Sequence, residues 1–329
     1  MAVQCVLAAS LGCGAKTGLR VPCEYETVRT APTVAVLEAR STTTWGNQTH
    51  GGLLLAEASL LMWERLLPQL DGVAVLGGTW QPALGAPFSL ANERPPVCTA
   101  WPELLVPYAE RNSERVLTLY RDLRPRTGPD ANVAALDYVV DSLVRAAPAH
   151  SPKWVLMQSN GLATCETSRV GDPNPAVAAP HFAAALRRGV KVLLIAVLPR
   201  TMGADAFSWE GNVGAWADAL EAWSVAGGAV RRNGPAHYWY WTETDAIAAG
   251  VRENIIAPYF CELRTSVPAS DRERVELLTE DGAAISRSTG WQWIDAGSTQ
   301  LRVLGADCDR LVDRRATVRF VSRSSLCEI

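Results

Sequence analysis

The feature that most constrains the fold is an alternation of short apolar runs with segments of helical spacing. Residues 33–38 read TVAVLE, 153–161 read KWVLMQSNG and 190–199 read VKVLLIAVLP. Segments 53–70 and 129–148 carry apolar residues at the three- and four-residue spacing of an amphipathic helix. Strands that are apolar along their length are typical of a parallel sheet covered by helices on both faces. The sequence therefore predicts an α/β fold with a Rossmann-like, mostly parallel sheet flanked by helices.

Two segments in the second half of the chain predict structure beyond the parallel sheet. Residues 229–243 read as two strands around Asn233-Gly234-Pro235, which predicts an antiparallel edge hairpin. Beyond residue 265, short strand-like runs alternate with Asp-Gly and Gly-Ala turns. We therefore expect a Rossmann-like domain over residues 1–264 and a small β-rich C-terminal extension over residues 265–329. The extension is a candidate surface for a protein partner.

Composition narrows the class of protein. The chain has 329 residues, of which 48% are hydrophobic and 20% charged, as in globular proteins. A net charge of −3 provides no global basic field for nucleic acid or membrane. No apolar run approaches the roughly 20 residues of a membrane-spanning helix. The 8 cysteines form no C-x-x-C pair, so we expect reduced thiols and a cytoplasmic location.

A glycine-rich turn near the start predicts a ligand site. Gly12, Gly14 and Gly18 follow a predicted first strand over residues 3–11, and Glu38 closes the next predicted strand. Glycines at the carboxyl end of a strand let backbone N–H groups approach a ligand, and a carboxylate on the next strand can hold ribose hydroxyls. A tight structural turn with a solvated Glu38 is the alternative. The spacing fits neither a P-loop nor a standard dinucleotide fingerprint.

Several segments together resemble one enzyme family. LGCGAKTGL (11–19) and VAVLEA (34–39) are similar to the first two motifs of class I S-adenosylmethionine-dependent methyltransferases. Residues 185–199 resemble their late helix-turn-strand, and residues 227–243 resemble their closing antiparallel hairpin. The resemblance implies S-adenosylmethionine as cofactor and methyl transfer to an oxygen or nitrogen nucleophile. The cofactor-binding residues that it implies are Gly12, Gly14, Gly18, Glu38 and Trp80, the last of which would stack on the base.

The same resemblance places the catalytic residues. It puts Ser159 and Asn160 at the end of the fourth strand, where this family holds catalytic or substrate-binding side chains. Glu243 matches the last member of the Lys-Asp-Lys-Glu tetrad of viral RNA-capping methyltransferases, but the rest of that tetrad does not assemble. RNA is the expected substrate because a basic and aromatic cluster could stack on bases and contact phosphates. Its residues are Arg231, Arg232, Tyr238 and Tyr240.

Two other interpretations remain open at this point. A von Willebrand A-like domain shares the alternation, and a chain of that type acts as a catalytically inactive structural or assembly module. Its metal site requires Asp-x-Ser-x-Ser, whereas this chain has Glu38-Ala39-Arg40-Ser41-Thr42, in which the arginine repels a cation. A serine hydrolase would use Ser159 as nucleophile with His181 or His237 as base, but the turn lacks the first glycine of a nucleophile elbow.

Overall fold

The structure is a computed structural model of the chain. It describes residues 20–39, 49–50, 53–81, 104–122, 132–159, 175–197 and 213–328, except 233, 235, 266, 268–271 and 295–299. The predicted first strand over residues 3–11 lies outside these ranges. The chain divides into two compact units, Thr30–Ile256 and a second unit made of Met1–Arg29 and Ala257–Ile329. The sequence placed its one boundary at residues 264/265, and that division stays a prediction.

Sixteen strands occur in the described ranges, and their bounds follow in chain order. They are β1 Arg20–Tyr25, β2 Thr27–Val28, β3 Thr33–Ala39, β4 Thr49–His50, β5 Leu53–Leu54, β6 Val75–Gln81, β7 Val106–Glu110, β8 Lys153–Ser159, β9 Val190–Ala196, β10 Trp239–Tyr240, β11 Glu262–Thr265, β12 Val275–Thr279, β13 Ala284–Ile285, β14 Trp291–Trp293, β15 Gln300–Val303 and β16 Val318–Glu328.

The helices in the same ranges are α1 Leu55–Leu66, α2 Ser113–Asp122, α3 Asn132–Ala146, α4 Pro175–Arg187, α5 Val213–Gly227, α6 Thr244–Val251, α7 Ala257–Cys261 and α8 Gly305–Arg314. A 3₁₀ turn, Leu67–Leu70, continues α1, and a π turn, Arg252–Ile256, follows α6. Within the described ranges, no helix has both the length and the apolar character needed to cross a membrane.

A six-stranded sheet forms the centre of the unit Thr30–Ile256. Its strand order is β10-β9-β8-β3-β6-β7, and every neighbouring pair is parallel except β6 with β7. The predicted α/β class and the mostly parallel sheet are therefore confirmed. Successive side chains of a strand point to opposite faces, so this sheet has two apolar faces that helices must cover.

The helices cover the two faces in separate groups. On one face, α3, α4 and α5 bury Leu136, Phe182 and Trp223 against Leu37 and Met157 of the sheet. On α1 and α2, Trp63 and Tyr120 are buried with their ring centroids 6.0 Å apart. Burial of such side chains on both faces explains why the central strands are apolar along most of their length.

The Gly77-Gly78 pair lies inside a strand, although a pair of glycines is more typical of a turn. Both residues belong to β6, which pairs with the antiparallel edge strand β7. A Cβ on Gly77 would lie 2.4 Å from the ring of Tyr108, so this side chain packs directly on the glycine backbone. Glycine is thus required here by the close approach of an aromatic ring from β7, a strand that the sequence did not predict.

The predicted antiparallel hairpin over residues 229–243 is wrong. Among the described residues of this segment, only Trp239–Tyr240 forms a strand, and it pairs parallel to β9. The antiparallel strand of the sheet is β7, at the opposite edge. The residues before β10 instead form a closed loop, in which the Arg231 N–H donates to the carbonyl of His237 over 2.9 Å.

The second unit consists mainly of two four-stranded antiparallel sheets. One has the order β1-β16-β12-β13 and the other β14-β15-β11-β2. They contact each other through Phe320 of β16, whose ring centroid is 5.5 Å from that of Trp291 and 5.8 Å from that of Trp293. The β-rich character predicted for the C-terminal region agrees with these sheets, to which β1 and β2 also contribute.

Two expectations for this unit are wrong. Residues 305–314, expected as part of a run of short strands, form α8, which buries Leu311 and Val312. Cys261 and Cys308 form a disulfide, and Cys23 is disulfide-bonded as well. The expectation of reduced thiols therefore fails for these cysteines. The spacing of 47 residues between Cys261 and Cys308 carries no local motif that could have indicated the bond.

Candidate functional site

The carboxyl ends of β3 and β8 define the candidate site. Ligands of open parallel α/β sheets bind at this edge. The two strands are parallel neighbours, and Glu38 lies opposite Gln158 in their register. Glu38 is 0% exposed and Gln158 is 1% exposed. A pair of long polar side chains at full burial requires hydrogen-bond partners.

Helix α1 supplies those partners. The Ser59 Oγ lies 2.6 Å from Glu38 Oε1 and 2.7 Å from Gln158 Oε1, and the Trp63 Nε1–H donates to Glu38 Oε1 over 3.2 Å. Ser59 and Trp63 are four residues apart, which puts both on one face of the helix. We call these four residues, Glu38, Ser59, Trp63 and Gln158, the edge cluster.

Hydrogen-bond counting defines the orientation of one amide in the edge cluster. The Ser59 hydroxyl has a single proton and faces two acceptor oxygens. If it donates to the Glu38 carboxylate, the Gln158 amide must present its nitrogen to the Ser59 oxygen. The two ends of a glutamine amide are assigned from such networks. With that orientation, each of these contacts has a donor and an acceptor, so the edge cluster joins β3, α1 and β8.

Ser159 lies beside the edge cluster, on the other face of the sheet. It is the last residue of β8 and is 0% exposed. Its carbonyl accepts the Val197 N–H over 2.8 Å, which joins the ends of β8 and β9. Ser159 follows Gln158 directly, so its side chain points away from Glu38. The structure therefore puts Glu38 and Ser159 at one edge of the sheet but on opposite faces.

Glu243 occupies a third position along this edge. It follows β10, which is two strands away from β8 in the sheet. At the usual strand spacing, β10 and β8 are roughly 10 Å apart. Its carboxylate pairs with Arg231 at 2.6 Å, and both side chains are mostly enclosed, at 14% and 12% exposure. An open depression of about 350 Å³ lies here, lined by Arg65 and residues 242–246. In it, Arg65 forms an ion pair with Asp245.

The residues predicted to contact RNA have unequal exposure. Arg232 is exposed, Tyr240 is half-buried, and Tyr238 is only 2% exposed. Arg231 is held in its ion pair with Glu243. Burial raises the pKa of Tyr238, and its hydroxyl lies 3.3 Å from that of Tyr240. The structure thus does not present these four side chains as one surface, and contact with RNA through them stays untested.

Several predicted site residues fall outside the described ranges. Gly12, Gly14, Gly18 and Asn160 are among them, and only the backbone of Trp80 is described, opposite Glu38 in the register of β3 with β6. The sequence also missed Ser59 and Trp63. A signal did exist, because Ser59 interrupts the apolar face of the segment 53–70 one turn before Trp63.

Comparison with known proteins identifies no family for the chain. No family model matches the chain, and no curated protein matches it. Among solved structures, it is similar to manganese-loaded TRAP from Plasmodium vivax, with 14% identity, a TM-score of 0.45, and coverage of 86% of this chain and 97% of that one.

Two further solved structures are similar to the chain. BatB from Bacteroides thetaiotaomicron has 12% identity, a TM-score of 0.40, and coverage of 68% and 98%. The SpRpn10 VWA domain, of von Willebrand A type, has 8% identity, a TM-score of 0.37, and coverage of 68% and 95%.

These findings correct the resemblance to methyltransferases, because the three solved structures named above include a VWA domain and none of them is described as a methyltransferase. The parallel direction of β10 removes one of the segments on which the resemblance rested. The predictions of methyl transfer, of S-adenosylmethionine as cofactor and of a viral RNA-capping enzyme are therefore wrong. The error arose because a glycine turn and a carboxylate after successive strands are common to many parallel α/β folds.

Proposed function

We propose that the chain is a non-catalytic binding module, used for assembly with or adhesion to another protein. The observation that carries this proposal is the edge cluster. At the edge where a parallel sheet places its ligand, Glu38 is fully buried and hydrogen-bonded to α1. A carboxylate enclosed in this way positions the scaffold. Its Oε1 accepts hydrogen bonds from within the protein, and the side chain has no surface exposed to a substrate.

The residues at this edge do not fit a metal ion. TRAP is manganese-loaded, so a cation is the group to test against the donor set. Glu38 Oε1 already accepts two hydrogen bonds, from Ser59 and from Trp63. A cation at that oxygen would displace these donors, and Arg40 follows two residues later as a like charge. In the described part of the chain, no three His, Cys, Asp or Glu side chains group as a metal site. We infer that binding by this module is metal-independent.

Calorimetry and affinity capture test the proposal together. Titration of Mn²⁺ or Mg²⁺ into the full chain is expected to give no saturable heat. Capture from an extract of the native source should recover the same proteins with and without a chelator. Saturable cation binding, or capture that the chelator abolishes, would overturn metal independence. Turnover of any recovered component by the chain would overturn the non-catalytic role.

We further propose that the chain resides in an oxidising compartment, in place of the cytoplasmic location expected from its sequence. The Cys261–Cys308 disulfide and the bonded Cys23 support this, because structural disulfides persist where thiols are not kept reduced. Alkylation under denaturing conditions of the protein taken directly from its source should leave Cys261 and Cys308 unmodified unless it is reduced first. Alkylation without reduction would place the chain in a reducing compartment.

A further inference from the structure

Helices α4 and α5 pack side by side on one face of the central sheet. The rings of Phe182 and Trp223 stack with centroids 5.3 Å apart. A Cβ on Gly228 would lie 2.7 Å from Leu186 Cδ1, so the end of α4 is level with the end of α5. The two helices therefore run in the same direction and present a shared outer surface.

That outer surface is apolar. Leu186 is 38% exposed and Val225 is 52% exposed, and they are two of the five exposed large hydrophobic side chains in the described part of the chain. Pro180 is also exposed on α4, and Ala183 and Ala184 are partly exposed beside it. Large apolar side chains that lie together at this exposure mark an interaction surface more often than isolated ones do.

The charges around this surface fall into two classes. Those on its flanks are already paired, His181 with Asp137 at 2.8 Å, Arg188 with Asp141 at 2.7 Å, and His237 with Glu221. Arg187 and Asp218 are exposed, and neither forms an ion pair with another described residue. The surface thus presents one cation and one anion for intermolecular contact.

These two charges lie at opposite ends of the apolar surface. Arg187 follows Leu186, which is level with Gly228. Asp218 precedes Gly228 by ten residues (228 − 218), which corresponds to roughly 15 Å along a helix. A surface with a positive end, an apolar middle and a negative end is complementary to a copy of itself turned by 180°.

We propose that the α4–α5 surface, defined by Leu186, Val225, Arg187 and Asp218, binds a second copy of this chain about a two-fold axis. In such an isologous interface, each contact occurs twice. The axis brings Arg187 of each copy to Asp218 of the other, and Leu186 and Val225 are buried between them. Charge self-complementarity favours a second copy over an unrelated partner. This inference does not rest on the proposed binding function, which concerns a different part of the sheet.

Sedimentation velocity of the full chain across a concentration series tests the proposal. The wild type should show a reversible monomer–dimer equilibrium. Arg187→Asp and Asp218→Arg each replace two attractions by two repulsions and should raise the dissociation constant roughly tenfold. The double variant Arg187→Asp/Asp218→Arg restores opposite charges and should return the constant close to that of the wild type.

Two exposed valines provide a matched pair. Val225→Asp should abolish the dimer, whereas Val28→Asp, at a position that is 48% exposed on β2, should leave it unchanged. Circular dichroism of each variant confirms that its fold is retained. The proposal is overturned if the wild type sediments as a monomer at its solubility limit. It is also overturned if the double charge exchange fails to restore association, or if Val28→Asp disrupts it equally.

Discussion

Substitution of Glu38 by alanine tests whether the edge cluster serves the scaffold or a ligand. The variant removes the acceptor of the Ser59 hydroxyl and of the Trp63 N–H, both of which are buried. A buried donor left without an acceptor costs about 1–3 kcal/mol. In the variant the Gln158 amide can turn over and present its oxygen to the Ser59 proton, so the larger part of the loss falls on Trp63. We expect the free energy of unfolding to fall by about 2–4 kcal/mol.

Urea denaturation monitored by circular dichroism measures this loss of stability. Two further variants serve as comparisons. Glu38→Gln keeps an oxygen that can accept from Trp63, so it should cost less than half as much as Glu38→Ala. Glu110→Ala removes an exposed carboxylate from β7 of the same unit and should stay within about 0.5 kcal/mol of the wild type.

The opposite result would refute the scaffold argument. Polar residues kept for a ligand are held at a cost to stability, so their removal leaves a protein unchanged or makes it more stable. If Glu38→Ala is as stable as the wild type or more stable, then Glu38 is a ligand-binding residue. The non-catalytic proposal would then lose the observation on which it rests.

Three further predictions concern other parts of the chain. Cys308→Ser should lower the free energy of unfolding by about 4 kcal/mol in the chain-entropy model, given the separation of 47 residues. In thermal melts, reductant should destabilise the wild type more than the variant, because the variant has already lost this bond and keeps the one at Cys23. Hydrogen bonds from Thr317 lower the pKa of Glu280 from 4.5, and those from Thr279 and Ala283 lower the pKa of Asp281 from 3.8. The two ionised carboxylates therefore stabilise the fold at neutral pH, and this contribution is lost as the pH falls through their lowered pKa values. In thermal melts between pH values of about 7 and 3, the melting temperature of Glu280→Gln should fall less than that of the wild type. Burial raises the pKa of Tyr108 from 10.0 to about 12, so this side chain ionises at a lower pH in the unfolded chain than in the folded one. The free energy of unfolding should therefore fall by roughly 2–3 kcal/mol as the pH rises through this range. The Tyr108→Phe variant, which cannot ionise at this position, should lack this loss.

The central sheet could be predicted because its signal is local. The runs at 33–38, 153–159 and 190–196 are each apolar on both faces, and they fall within the described strands β3, β8 and β9. Edge strands lack that signal. β7 reads VPYAE, with one buried residue in five, and β10 has only two residues. Their direction depends on what they pair with, which no local pattern specifies.

The site was harder to predict because its residues come together from distant segments. Glu38 was identified, but as a ribose-binding residue, since the pattern shows a carboxylate after a strand and not what encloses it. Its enclosure depends on residues from distant segments. Ser59 is 21 residues from Glu38 along the chain, and Gln158 is 99 residues from Ser59. The pattern along the chain does not show this enclosure, and this is why fold-level motifs are weak evidence for chemistry.

The edge cluster also gives a reason why long polar side chains are retained between these buried strands. A strand slipped by one residue would turn Glu38 to the face lined by Leu37 and Met157, where its carboxylate would have no donor. The correct register between β3 and β8 is the one in which Glu38 and Gln158 both meet Ser59. Apolar contacts alone specify this register weakly, because Val, Leu and Ile side chains exchange places at little cost. A combined Glu38→Leu/Ser59→Ala/Gln158→Leu variant should therefore stay folded but lose uniqueness, which would appear as broadened amide resonances for β3 and β8. Sharp, native-like resonances in that variant would show that the apolar core alone fixes the register.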